Sequence, residues 1–253
     1  MRKFFLTAAL SLGVVAAAPV MAGEGGKIKD LDWPQDGIFG TFDRASLQRG
    51  LQVYQQVCAG CHGLKRVAFR TLTDLGFTMD QVKKIAAEYE FEDGPDEEGE
   101  MFTRPGAPYD YFPSPFPNAK AAAAANGGAV PPDLSLIVKA RKGGEDYVYS
   151  ILTGYEEAPE DFTVPEGGHY NSAFPGNVIA MPPPLSEDAV EYADGTPATV
   201  EQMAKDVVNF LSWAAEPKME ERKRIGLRVV IFLVILIGLL YGVYRRVWSK
   251  VEH

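Results

Sequence analysis

Cys58-Ala59-Gly60-Cys61-His62 is a Cys-x-x-Cys-His run, the pattern of covalent c-type haem attachment. Two thiols separated by two residues on a segment entering a helix can each add to one vinyl group of a haem. The adjacent imidazole then lies under the iron as its proximal ligand. A thioredoxin-like redox pair would need a surrounding βαβ pattern, and half of a zinc site would need two more soft ligands. Neither is in view: Cys58 and Cys61 are the only cysteines of the 253 residues, and His169 and His253 are the only other histidines.

Outward from this run the chain reads as helices joined by long loops. Asp43 is placed to cap a helix carrying Leu47, Leu51, Tyr54 and Cys58 at helical spacing, which delivers the motif. Gly63, Leu64 and Phe69 follow as a loop, with Arg66 and Arg70 free to meet solvent or a propionate. Thr78 with Gln81, and later Thr199 with Gln202, form capping-box patterns. The first opens a helix with Val82, Ile85, Ala86 and Tyr89; the second opens one with Met203, Val207, Phe210, Leu211 and Ala214. Between them, residues 92–130 are rich in proline and read as an irregular insertion, in which Ala121 to Ala125 suits a short helix. Pro131-Pro132-Asp133 opens a helical segment from Leu134 to Lys142, and Glu145 to Thr153 is the next helix, closed by Gly154. Only helical regular structure is expected, so the fold class is mainly α, a haem domain with loop insertions.

Two terminal segments set the compartment. Residues 1–22 combine Arg2 and Lys3, an apolar run and Val20-Met21-Ala22, the pattern of a cleaved signal peptide. Ile225 to Tyr244 is an apolar run whose single charge is Arg228, long enough to span a bilayer as a helix. The expected division is therefore 1–22 signal peptide, 23–217 exported haem domain, 218–224 juxtamembrane linker, 225–244 transmembrane helix and 245–253 cytoplasmic tail. Basic residues flank the span on both sides, so the positive-inside rule does not orient it. The signal peptide does, placing the haem domain on the exported side of the membrane and the short tail in the cytoplasm.

The whole chain carries a formal charge of −9, but residues 23–217 hold 31 carboxylates against 15 cations, a net −16. Glu88 to Glu100 has eight carboxylates and no cation. Such a field solvates a surface and also steers a basic partner. It argues against nucleic acid as a ligand.

With His62 on one side of an iron, the sixth position decides between electron transfer and chemistry on a bound molecule. Met79, Met101, Met181, Met203 and Met219 are the candidates after the signal peptide. Met181 stands in a loop braced by Pro182-Pro183-Pro184, where rigid backbone lowers the ordering cost of holding a thioether on the metal. His169, in Gly167-Gly168-His169-Tyr170, is its rival.

The ordered set of stretches resembles the cytochrome c1 family, the haem subunit of the bc1 complex (ubiquinol:cytochrome c oxidoreductase), in its bacterial type. It comprises Arg49-Gly50-x-x-Val53-Tyr54 before the haem motif, Pro131-Pro132-Asp133-Leu134-Ser135, Ala140-Arg141, Gly143-Gly144-Glu145-Asp146-Tyr147-Val148, Phe174-Pro175-Gly176 through Met181, Asp194-Gly195-Thr196-Pro197-Ala198-Thr199 and Trp213-Ala214-Ala215-Glu216-Pro217. The resemblance implies a class I cytochrome c core with one C-terminal transmembrane helix, and one haem c. It implies His62 and Met181 as axial ligands, Arg141 as a propionate partner, and Pro132 and Tyr147 as pocket residues. It implies as partners the cytochrome b subunit, the Rieske iron-sulfur protein, a soluble c-type cytochrome and the lipid bilayer. The role is that of an electron carrier with no catalytic side chain of its own. Bacterial members sometimes have a further cysteine pair; this chain has none, so packing alone is expected to hold its loops. Two other readings share the motif: a stand-alone anchored cytochrome c feeding a terminal oxidase, and a haem peroxidase or gas sensor.

Overall fold

The computed structural model describes residues 26–250; the signal peptide expected at 1–22 and the end of the tail lie outside them. Seven α-helices and two short hairpins make up its regular structure, in the order α1 (Arg44–Val53), α2 (Met79–Ala86), β1 (Glu90–Asp93), β2 (Phe102–Pro105), α3 (Ala119–Ala125), α4 (Ile137–Ala140), α5 (Gly144–Thr153), β3 (His169–Tyr170), β4 (Val178–Ile179), α6 (Val200–Ala215) and α7 (Met219–Trp248).

Helix α1 starts where Asp43 accepts from the backbone N–H of Ala45 at 3.0 Å and Ser46 at 3.4 Å. Its last turn widens into one π-turn, Tyr54–Cys58, which ends at the haem motif. The core is the crossing of α1 and α6. A Cβ on Gly50 would lie 2.1 Å from the Asp206 carbonyl oxygen and 2.6 Å from Phe210 Cβ. Only glycine lets the two backbones come so close. Leu47, Leu51 and Val53 of α1 are buried against Met203, Val207 and Phe210 of α6. Arg49 adds a charged clamp: Nε and Nη2 donate to the two oxygens of buried Asp206 at 2.8 and 3.0 Å, and Nη1 donates to Asp194 at 2.8 Å.

Sequence and structure differ at several points. The capping box at Thr78 and Gln81 is complete. At Thr199 only the hydroxyl caps, because the Gln202 amide turns to Asp206 at 2.9 Å. From Phe69, the end of the stretch expected as loop, residues 69–75 form a 3₁₀ turn whose Phe69, Leu72 and Leu75 are all buried. Spacing of three aligns side chains on a 3₁₀ turn, and that is the period here. The segment expected to be helical from Leu134 to Lys142 keeps only α4, since Asp133 turns the chain by accepting from Ser135 N–H and Lys65 N–H.

The expectation of helix alone is corrected by the two hairpins. In the acidic insertion β1 pairs antiparallel with β2, Glu90 opposite Pro105 and Asp93 opposite Phe102. The missing cation comes from the far strand: Arg104 pairs with Asp93, binds both oxygens of Asp110 at 2.6 and 2.9 Å, and lies over the rings of Phe91 and Tyr109. So ion pairs as well as packing hold this loop. The mainly α class with loop insertions stands.

Helix α7 runs unbroken, and among the described residues it is the one helix long and apolar enough to cross a membrane. From Met219 onward the segment read as a linker is the foot of this helix, docked on the domain. Glu220 accepts from Phe42 N–H at 2.7 Å and pairs with Arg44 at 2.6 Å, while Arg222 and Lys139 pair with Glu216.

Candidate functional site

At the end of α1 the N–H groups of Cys61 and His62 both donate to the Cys58 carbonyl, at 3.1 and 2.9 Å. This tight turn presents two cysteines three residues apart, both unpaired. Burial, with a smaller contribution from Cys61, pushes the Cys58 thiol up to about 12. A thiol so held is protonated at neutral pH and poorly suited to disulfide exchange, which depends on a thiolate.

His62 is half-buried, and its Nδ1 lies 2.8 Å from the Pro132 carbonyl oxygen. A carbonyl can only accept, so Nδ1 carries the proton and Nε2 presents its lone pair. Burial lowers the imidazole pKa, opposed in part by the Pro132 hydrogen bond and the Asp133 charge. A neutral ring with a fixed tautomer is the form that ligates a metal.

The Pro132 loop is itself latched to the motif. Leu134 N–H donates to Gly63 O at 2.8 Å, Lys65 N–H to Asp133 at 3.0 Å, and Arg66 N–H to Ser135 Oγ at 3.1 Å. A side chain on Gly63 would press on Ser114 Oγ at 2.9 Å and Asp133 Oδ2 at 3.1 Å. From below, Tyr54 donates its hydroxyl to the His62 carbonyl at 3.2 Å and is wedged among Phe112 and Phe210. The motif is thereby held between α1, the Pro132 loop and an aromatic core.

A second framework carries Met181. Asn171, fully buried, donates to Ile151 O at 2.8 Å and accepts from Ala173 N–H and Phe174 N–H, tying β3 and its turn to the end of α5. Strand β4 pairs with β3, Ile179 opposite His169, so Met181 and its rival His169 stand on the same hairpin. Tyr155, just beyond α5, donates its hydroxyl to the Met181 carbonyl at 3.0 Å. Burial raises the Tyr155 pKa, so that hydroxyl stays a donor at all ordinary pH. Met181 is half-buried.

Arg141 ends α4 and is exposed; among the described residues no carboxylate lies within ion-pair distance of it. Tyr147, one helical turn into α5, feels its charge: burial raises the phenol pKa and Arg141 opposes the rise. The structure thus joins Cys58, Cys61, His62 and Pro132 in one unit and Arg141 with Tyr147 in a second, and puts Met181 on a third. Asp133 and Tyr155 were not among the expected site residues. Asp133 was legible as a capping residue, whereas Tyr155 gave no signal.

The donor set fits an iron porphyrin: two thiols on one turn, an imidazole with its distal nitrogen free, and a cation without a carboxylate partner suited to a propionate. Comparison with known proteins decides the family. The model of the Cytochrome C1 family matches residues 33–251, which takes in the motif, both loops and α7. The chain belongs to the cytochrome c1 family. It is 48% identical to cytochrome c1 of Rhodospirillum rubrum over 100% of this chain and 98% of the relative, and 52% identical to a mitochondrial cytochrome c1 haem protein of Arabidopsis thaliana over 98% and 80%. A protein of Bradyrhizobium diazoefficiens named cytochrome b/c1 is 52% identical over 86% of this chain and 35% of its own length. Cytochrome c1 is the haem-carrying electron-transfer subunit of the bc1 complex, and α7 fits a membrane anchor.

Proposed function

We propose that this chain is the electron-output subunit of a bacterial bc1 complex, taking electrons from the Rieske iron-sulfur protein and passing them to a soluble c-type cytochrome on its acidic face. In this reading Cys58 and Cys61 would hold one haem c through two thioethers, and His62 Nε2 and Met181 Sδ would bind its iron. The bound haem supplies a one-electron couple. Arg141 neutralises a propionate, and Tyr147 and the Pro132 loop close the pocket.

The observation that carries the reading is the His62 to Pro132 hydrogen bond, which fixes the tautomer that a proximal ligand needs. For Met181, support comes from the Tyr155 hydroxyl, which holds the Met181 backbone while leaving the thioether unengaged by any side-chain hydrogen bond among the described residues. The Bradyrhizobium relative named cytochrome b/c1 supports cytochrome b as a neighbour, and the run from Ile225 to Tyr244 supports anchoring beside it. Signal peptide, exported haem domain and cytoplasmic tail complete the topology, with the domain in the periplasm.

Met181→Ala tests the ligand assignment. The variant is expected to keep a covalently bound haem and to lose the weak sulfur-to-iron charge-transfer band of the ferric protein. Persistence of that band would remove Met181 from the iron, and a bis-imidazole spectrum in the unsubstituted protein would transfer the role to His169.

A further inference from the structure

Residues 33–42 wrap the foot of α7. Trp33 O accepts from Asp36 N–H at 3.0 Å and Pro34 O from Thr41 N–H at 3.0 Å, closing a compact turn. Lys223, in the second turn of α7, donates Nζ to the carbonyls of Gln35 and Gly40, at 2.5 and 3.2 Å, so one ammonium holds both ends of the turn. Gly40 has no room for a side chain, since its Cβ would lie 2.0 Å from Asp36 O. The turn is therefore tied to the helix and internally closed.

Its tip is Ile38-Phe39. These are 68% and 78% exposed, more than any other large apolar residue among those described, including all of α7, where the maximum is 66%. Two adjacent apolar side chains on a tethered turn need a cover that the domain does not supply. Their place in the fold identifies it. Lys223 precedes Ile225, the first residue of the apolar span, by two positions, a rise of about 3 Å along the helix axis. Arg224 and Arg228 are exposed beside it and have no carboxylate partner among the described residues, as suits cations at phosphate level. Aromatic and aliphatic groups tethered beside the start of a spanning helix partition into the headgroup–acyl boundary.

We propose that Ile38 and Phe39 insert into the interfacial layer of the leaflet at the N-terminal end of α7, a second, lipid-facing attachment of the haem domain. One helix alone leaves a domain free to swivel about its axis. A turn fixed to that helix and seated in lipid sets the tilt and the distance of the haem motif from the membrane surface.

The proposal rests on α7 spanning the bilayer, and the test separates the two. The full chain, within its native complex, is reconstituted into bilayers of phosphatidylcholine with ordinary or brominated acyl chains, carrying Phe39→Trp, Ile38→Trp or, as a marker of the span, Leu233→Trp. The fluorescence added by each tryptophan over the unsubstituted protein is compared. For Phe39→Trp and Ile38→Trp that increment is expected to fall by roughly half or more in brominated lipid, as it does for a group at the acyl boundary. An unquenched increment at either position, with Leu233→Trp quenched, overturns the proposal: water-like emission would mean a bare tip, and blue-shifted emission a tip covered by a protein subunit. An unquenched Leu233→Trp would instead remove the spanning helix itself.

Discussion

Gly50→Ala isolates the helix crossing on which the haem motif is mounted. Judged by helix propensity alone, alanine improves α1 by about 1 kcal/mol, since glycine is the poorer helix former. Packing gives the opposite sign. The new Cβ would sit 2.1 Å from the Asp206 carbonyl oxygen, where ordinary contact begins at 3.4 Å, so the helices must separate by about 1.3 Å. Neither obstacle can rotate away, for one is backbone and the other is Phe210 Cβ. Overpacking of a dense core costs about 1–3 kcal/mol, and a clash with backbone belongs at the upper end. Net destabilisation of about 2 kcal/mol follows, a fall in Tm of about 4–8 °C for a domain of this size. Thermal melting of the solubilised holoprotein, followed by far-ultraviolet circular dichroism, measures it. An unchanged or raised Tm would refute the argument that backbone proximity dictates this glycine.

Three further outcomes follow from named contacts. Arg49→Met leaves buried Asp206 without its bidentate partner and is expected to destabilise by about 3–5 kcal/mol in urea unfolding, whereas adding Asp206→Leu recovers much of that loss. Asp194 titrates at about 2, held down by the Thr196 N–H and then by Arg49. An unfolded aspartate titrates near ~4, so this stabilisation is whole above that value and is lost as pH falls toward 2. Asp194→Asn should therefore flatten the acid limb of the stability–pH curve, and an unaltered limb would contradict the assignment. Electron transfer to a basic soluble cytochrome is expected to slow as ionic strength rises, because screening weakens attraction to a domain whose residues 23–217 carry a net −16; stopped-flow rates independent of salt would exclude steering.

The motif, the α1 and α6 faces and the membrane-length helix were legible because each is a local pattern: a fixed spacing, a helical period, an apolar run. The hairpin β1–β2 was not. Its strands carry Glu90, Glu92 and Asp93, and what makes them pair is Arg104 arriving from across the turn, beyond the window in which the acidic run was read. Gln202 shows the same limit in reverse, since a correct local cap signal yielded to a tertiary partner, Asp206. At the site, His62 was evident and its orienting group was not. Every residue has a backbone carbonyl, and only the fold brings that of Pro132 to a histidine 70 positions away. The hold of Tyr155 on Met181 is hidden for the same reason.

The central claim, that this chain passes electrons as a subunit of a bc1 complex, is tested most directly by mild detergent extraction from its native membrane. Reduced-minus-oxidised spectra and low-temperature electron paramagnetic resonance are then recorded on the material that co-purifies. Travel of b-type haems and an iron-sulfur signal with the c-type haem is the expected result. A c-type haem that emerges alone, or with a terminal oxidase, would contradict it.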